Sequence, residues 1–202
     1  MARYTGPRAK IARRFGIDIY GTPKALERRN YPPGVHGPKS RRKLSDYGVA
    51  MGEKQKLKHT YGVLEAQFRR YYETAASKRG VTGDTLLQLL ETRLDNVVYR
   101  LGLTNTRRLA RQFVTHGHIR VNNRKASIPS FQCKVGDVIE VKNNPKSRQV
   151  STKCLEKTQI QPVPPWLAAE KENHKGTIMR LPTREEIGSV VNERLVVELY
   201  SR

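Results

Sequence analysis

Between Leu86 and Val141 the spacing of apolar residues changes period, and that change limits what the chain can fold into. Leu86, Leu90, Leu94, Val97, Val98 and Leu101 recur every three or four residues, which predicts a helical run capped by Asp84 or Thr85. A second helix is expected from Asn105 or Thr106. It has Leu109, Ala110, Phe113 and Val114 on one face and Arg107, Arg108, Arg111 and Gln112 on the other. Gly117 can stop this helix in a left-handed conformation. Next come His118-Ile119-Arg120-Val121, the turn Asn122-Asn123 and Arg124-Lys125, which read as a basic strand-turn-strand. Turn signals at Ser127-Ile128-Pro129-Ser130 and Lys134-Val135-Gly136-Asp137 lead into a further strand, Val138-Ile139-Glu140-Val141. One face of this helix-and-hairpin unit packs and the other offers cations.

That surface matters because of the charge of the whole chain. Its 202 residues hold 39 Lys plus Arg against 18 Asp plus Glu, a formal net charge of +21. A compact fold of that charge repels itself, and a polyanionic partner relieves the repulsion. Residues 1–80 carry 19 basic and 6 acidic side chains, so the excess is steepest towards the N-terminus. No long uncharged apolar run suited to crossing a bilayer is present, and residues 1–14 lack the apolar stretch of a secretory signal. No membrane association is expected, and the location expected is cytoplasmic or organellar. Cys133 and Cys154 stand far apart and outside any Cys-x-x-Cys pair, which predicts reduced packing residues.

Residues 1–43 are rich in Arg, Lys, Gly and Pro without a sustained period, and read as an extended basic arm with Ile11, Phe15, Ile17, Ile19 and Tyr20 for a local tuck. The stiff turn Tyr31-Pro32-Pro33-Gly34-Val35-His36-Gly37-Pro38 would deliver the cluster Arg41, Arg42 and Lys43. Helical spacing begins weakly at Ser45 and is clear through Leu64, Phe68, Tyr71, Tyr72 and Ala75. Beyond Val141, residues 146–159 read as a poorly periodic helix. Pro162, Pro164 and Pro165 impose an extended stretch that Trp166 and Leu167 would anchor on the domain surface. Thr177-Ile178-Met179-Arg180-Leu181 suggests a strand, Thr183 with Glu186 a capping box, and Asn192 the cap of an apolar terminal helix that needs a groove.

Motifs of catalysis are missing. There is no Gly-x-Ser-x-Gly, phosphate-cradling Gly loop, Gly-x-Gly-x-x-Gly or His-Glu-x-x-His, and the carboxylates lie scattered among Arg and Lys. Catalysis is not expected. His116 and His118 alternate as metal ligands do, but no further Cys or His is near and their neighbours are cationic. A pair contacting phosphate or base is preferred to a metal site, with plain surface histidines as the competing reading. Arg107, Arg108, Arg111, Arg120, Arg124 and Lys125, with Gln112, Asn122 and Asn123, form a face nearly free of acids, and phosphate binding is the reading taken. Further RNA contacts are assigned to Arg3, Arg8, Lys10, Arg13 and Arg14, to Arg28, Arg29 and His36, and to Lys54, Lys56, Arg69 and Arg70. Tyr61, Phe68, Tyr71 and Tyr72 sit at core spacing rather than as base-stacking platforms.

Asp95-Asn96-Val97-Val98-Tyr99-Arg100-Leu101-Gly102, the run 107–121, Ile128-Pro129-Ser130 and Val135-Gly136-Asp137 resemble the RNA-binding module named after small-subunit ribosomal protein S-four. Similar modules occur in pseudouridine synthases, a heat-shock RNA-binding protein and some aminoacyl-tRNA synthetases. The flanks are more specific. Ala2-Arg3-Tyr4-Thr5-Gly6-Pro7, the run 27–37, Lys54-Gln55-Lys56-Leu57, Tyr61-Gly62-Val63 and the ending 192–202 resemble the bacterial and organellar form of that ribosomal protein family, over nearly the whole chain.

The resemblance implies an α+β protein: a mostly helical domain of residues 44–91 and 178–202, an inserted module of two helices and a small twisted antiparallel sheet at 92–177, and the arm at 1–43. It implies a non-enzymatic constituent of the small ribosomal subunit, binding its rRNA at a helix junction of the five-prime domain, nucleating assembly of the subunit body and contributing to translational accuracy. Ribosomal protein S-five and messenger RNA, near the channel by which it enters the subunit, are the further partners implied. The chain would act as a single copy rather than a homo-oligomer. An RNA-modifying enzyme and a messenger-binding translational regulator are the alternatives. Some relatives hold a metal through N-terminal cysteines; Ala9 and Ala12 align with the first two, so no metal and no cofactor are expected.

Overall fold

The structure, a computed structural model, describes residues 3–21, 24–39, 44–158, 162–188 and 191–201. In chain order the elements are α1 (Arg8–Phe15), α2 (Lys24–Arg28), a 3-10 turn (Gly37–Lys39), α3 (Asp46–Thr60), α4 (Glu65–Ala76), α5 (Thr82–Glu91), α6 (Leu94–Arg100) and α7 (Arg107–Thr115). They continue with β1 (Ile119–Val121), β2 (Arg124–Ala126), β3 (Val138–Val141), α8 (Pro145–Thr158), β4 (Leu167–Glu170), β5 (Lys175–Ile178), α9 (Arg184–Ile187) and α10 (Glu193–Ser201). The chain is thus mixed α+β and divides into two compact units, one of residues 1–83 with 189–202 and one of residues 84–188. Most of α5 goes with the sheet because Gln88 Nε2 donates to the carbonyl of Pro182 and Gln132 Nε2 to that of Leu89. By their internal contacts the two units part at 83/84 and 188/189.

In the first unit Ser45 caps α3 by accepting from the Gly48 N–H, and α3 packs against α10. Leu57, Phe68, Ala75 and Val196 are fully buried. Tyr200 stacks on Tyr72 and Phe68, with centroids 4.8 and 6.1 Å away, and its hydroxyl donates to Glu65 Oε1 at 2.7 Å. Lys54 and Lys58 donate to the same carboxylate at 2.7 and 3.3 Å. Burial pushes the Glu65 carboxyl up, but the hydrogen bonds from Lys54, Tyr200 and Lys58 outweigh it and hold the group below its ordinary range. The terminal helix thus has its groove, closed by a polar lock.

The arm is more structured than its composition implies. Residues 8–15 and 24–28 are helical, Ala12 is buried, and Arg13 donates to the carbonyls of Tyr31 and Pro32 while lying 4.7 Å above the Tyr31 ring. Tyr20 Oη meets His59 Nδ1 at 3.0 Å and Tyr4 packs edge-on against the same imidazole, which ties the arm to α3. The reading as an extended arm is corrected accordingly: aromatic and cation–π contacts supply the order that a short apolar period could not. At Gly37 any Cβ would collide with the carbonyl oxygen of Pro32, so the proline turn closes only around glycine.

The second unit is a five-stranded antiparallel sheet, ordered β2-β1-β3-β5-β4, with α6 and α7 over one face. Its core unites Leu94, Val97, Val98 and Leu101 of the α6 segment, Ala110, Phe113 and Val114 of α7, and Ile119, Ile139 and Ile178 of the sheet. Trp166 and Leu167 belong to this core at 1% and 6% exposure and anchor the proline-rich stretch from within it. The backbone carbonyl of Trp166 accepts from Met179, seating the start of β4, a strand the prolines disguise. The strand expected at 177–181 is Lys175–Ile178 instead.

The predicted run from Leu86 to Leu101 is two helices, and the first starts at Thr82, ahead of the expected cap at Asp84 or Thr85. The break at Thr92 and Arg93 arises because Arg93 forms a β-bridge with Gln132. The Cys133 and Leu94 amides bond to the carbonyls of Thr92 and Phe131 around it. Both cysteines are free and buried.

Candidate nucleic-acid interface

Two buried carboxylates organise the base of the module. Glu91 has no exposed side-chain surface; it accepts from Asn96 Nδ2 at 2.6 Å and from Arg100 Nε and Nη2 at 3.0 and 2.6 Å. The Asn96 amide then works in the other direction, its Oδ1 accepting from Arg107 Nε at 2.8 Å. Arg107 also lies 4.5 Å over the Tyr99 ring. Asn96 and Tyr99 therefore hold the orientation of Arg107 on the flank of α7, a role that α-helical periodicity does not reveal. The second carboxylate, Asp95, grips Arg93 bidentately at 3.0 and 2.6 Å, with both side chains buried.

Helix α7 begins where Thr106 Oγ1 accepts from the Leu109 N–H and ends in Gly117, whose φ is +73°. Arg108 and Gln112 are exposed, while Arg107 and Arg111 are half-buried on its flank. Asn122 and Asn123 have φ of 50° and 63°, as a tight two-residue hairpin turn requires. Asn122 additionally ties this turn to β3: Oδ1 accepts from the Val138 N–H and Nδ2 donates to Asp137, both at 2.9 Å. Ile119 and Val121 face the core, which turns Arg120 to the other side of the sheet. The register sets Arg120 opposite Lys125 on one side and Glu140 on the other, and Lys175 and Glu170 continue the row. At its β2–β1 end two like charges stand directly across from each other, an arrangement that destabilises a sheet by itself. Arg124 and Lys125 are exposed.

The two histidines have different surroundings. His116 is exposed at the end of α7. His118 stacks on Phe113 at 4.7 Å, and its Nδ1 lies 2.9 Å from Ser147 Oγ of α8. His174 pairs in the same way with Ser151 at 3.2 Å. Burial, then the charges of His116 and Lys142, lower the pKa of His118; burial and Arg148 lower that of His174. Groups whose folded pKa is depressed bind protons preferentially when unfolded, so their stabilisation is complete above about pH 6.5 and lost as pH falls. Lowering the pH from 7.5 to 5.5 should lower the denaturation midpoint. A His118→Asn, His174→Asn variant should lose part of that dependence, and His59, depressed by burial and by Lys58 and Arg14, accounts for a remainder.

In the first unit Arg3, Arg8, Lys10, Arg14, Arg28, Arg29, His36 and Arg70 are exposed, and Arg69 is exposed beside Glu73. Lys54 is different: only 6% exposed, it is committed to Glu65. Lys56 is half-buried and paired with Glu53, and Arg13 is engaged within the arm. Arg41, Arg42 and Lys43 lie outside the described residues. Among the described residues no group of His, Cys, Asp or Glu could hold a metal ion, and no helix is long and apolar enough to cross a membrane.

A family model described as ribosomal protein S4/S9 N-terminal domain matches residues 3–91, and one described as S4 domain matches residues 92–139. The chain belongs to the ribosomal protein S4 family. It is 60% identical to small ribosomal subunit protein uS4 of Opitutus terrae and 58% identical to that of Akkermansia muciniphila. Identity to the Geobacillus stearothermophilus protein of the same name is 52%. Each of these alignments covers the whole of both chains.

Proposed function

We propose that the chain is a structural constituent of the small ribosomal subunit that binds its rRNA through two basic surfaces, one on each unit. In the second unit the surface is Arg107, Arg108, Arg111 and Gln112 of α7, His116, and the hairpin with Arg120, Asn123, Arg124 and Lys125. The observation that carries this reading is the facing of Arg120 and Lys125 across β1 and β2, offset on one side only, by Glu140 across β3. A phosphate backbone turns that repulsion into attraction and releases counterions as it binds. Arginine forks on phosphate oxygens supply orientation rather than sequence reading. In the first unit the exposed cations of α1, the 28–36 turn and α4 serve the same end. Lys54 and Lys56 are assigned instead to holding the helical unit together.

Docking at a helix junction of the five-prime rRNA domain, nucleation of the subunit body, a contribution to translational accuracy, and contacts with ribosomal protein S-five and messenger RNA are the finer parts of this proposal. The protein acts without catalysis, as a single copy. Its membership of a family of ribosomal proteins supports this. Chemical footprinting of small-subunit rRNA with and without the chain tests it. Protection clustered at one five-prime-domain junction is expected, and protection absent or scattered over the rRNA would overturn the docking site.

A further inference from the structure

We propose that helix α8 carries another RNA-backbone surface, formed by Lys146, Lys153 and Lys157; this rests on the rRNA-binding reading above and extends it beyond the stretches matched by the two family models, 3–91 and 92–139. The buried stripe of α8 is Ser147, Ser151, Cys154 and Thr158, small and mostly polar. It is seated by hydrogen bonds: Ser147 with His118, Ser151 with His174, and Thr158 Oγ1 donating to the Gly102 carbonyl at 3.0 Å. With its inner face so fixed, the outer face has a defined orientation.

At about 100° per residue, positions 146, 153 and 157 fall within roughly 40° of one another and extend over roughly 16 Å of helix axis. All three lysines are exposed, and among the described residues no carboxylate pairs with them. Glu156 is the sole acid of the helix. A solvated lysine face ordinarily gains support from acids three or four residues away and from acids in the first turn; Glu156 stands three residues from Lys153, whereas Lys146 and Lys157 have no acid at that spacing within the helix. Here the first turn has no acid and places Lys146 at the positive end of the helix dipole. Lys153 and Lys157 repel each other at a spacing of four. Both local penalties are relieved by one polyanion lying along the helix.

The position of α8 also favours RNA. The Lys142 amide donates to the His118 carbonyl, and Ser147 reaches the His118 ring, so α8 starts beside the junction of α7 and β1. One strand could therefore continue from the hairpin surface on to α8. Lysines supply point charges, so this contact adds affinity and register without reading sequence.

The test uses the full chain with Lys146→Gln, Lys153→Gln and Lys157→Gln, and a transcript of the five-prime domain of small-subunit rRNA, with binding measured across a salt series. The slope of log affinity against log salt should shallow by about 2 to 3, at about 0.7 to 0.9 per lost phosphate contact. Circular dichroism melting should be unchanged or raised, because repulsion within the helix is removed. A folded variant with the wild-type slope would overturn the proposal. Wild-type protein that binds this transcript without salt dependence would instead overturn the rRNA reading on which it rests.

Discussion

Replacing Asp95 by alanine is expected to destabilise the second unit by about 3–5 kcal/mol, the cost of leaving a buried cation without its counterion. Arg93 is 1% exposed and donates through both Nε and Nη2 to the two oxygens of Asp95. The unfolding is directly readable, because the chain's one tryptophan, Trp166, lies in the core of this unit and reports its exposure by fluorescence. Denaturant titration of wild type and variant should show the midpoint moving strongly downwards. A double variant with Arg93→Met as well should recover much of the loss, since an apolar chain of similar length leaves no charge to strand. A loss below about 1 kcal/mol for the single variant would show that other acceptors carry the guanidinium.

The second large effect concerns RNA. Arg108→Ala, Arg124→Ala and Lys125→Ala together should shallow the salt slope of rRNA binding by about 2 to 3 and weaken binding evenly across sequences. These three side chains are exposed and stand outside the buried networks, so melting should change little. Lys54→Ala should behave in the opposite way, lowering the stability of the first unit while leaving the slope unchanged, because its ammonium is held by Glu65. A slope unaltered by the triple change would remove the hairpin and α7 from the RNA surface.

The difference between those two sets of cations marks how far the sequence could be read. Helix α7, its Thr106 cap, the left-handed Gly117 and the Asn122-Asn123 turn were legible because each depends on residues within a few positions of itself. The break at Arg93 depends on Gln132, and the burial of Trp166 on a core assembled from 94 to 178; neither partner is near in the chain. Lys54 and Arg108 look alike in a list of basic residues. Only the distant Glu65 and Tyr200 separate the inward lysine from the outward arginine. For the arm, composition pointed to an extended basic segment with only a local tuck, whereas Tyr4, Tyr20 and Tyr31 give it partners at long range.

The Tyr200–Glu65 lock has a consequence for how the chain matures as it is synthesised. Residues 84–188 form an uninterrupted segment, so the sheet unit can complete its core while the last stretch is still being made. The first unit has to wait: Phe68, Tyr72 and Glu65 lack their partner until α10 arrives. Synthesis halted before Glu193 would therefore release a chain with a finished RNA-binding module and an open helical groove, which cellular quality control could recognise as incomplete.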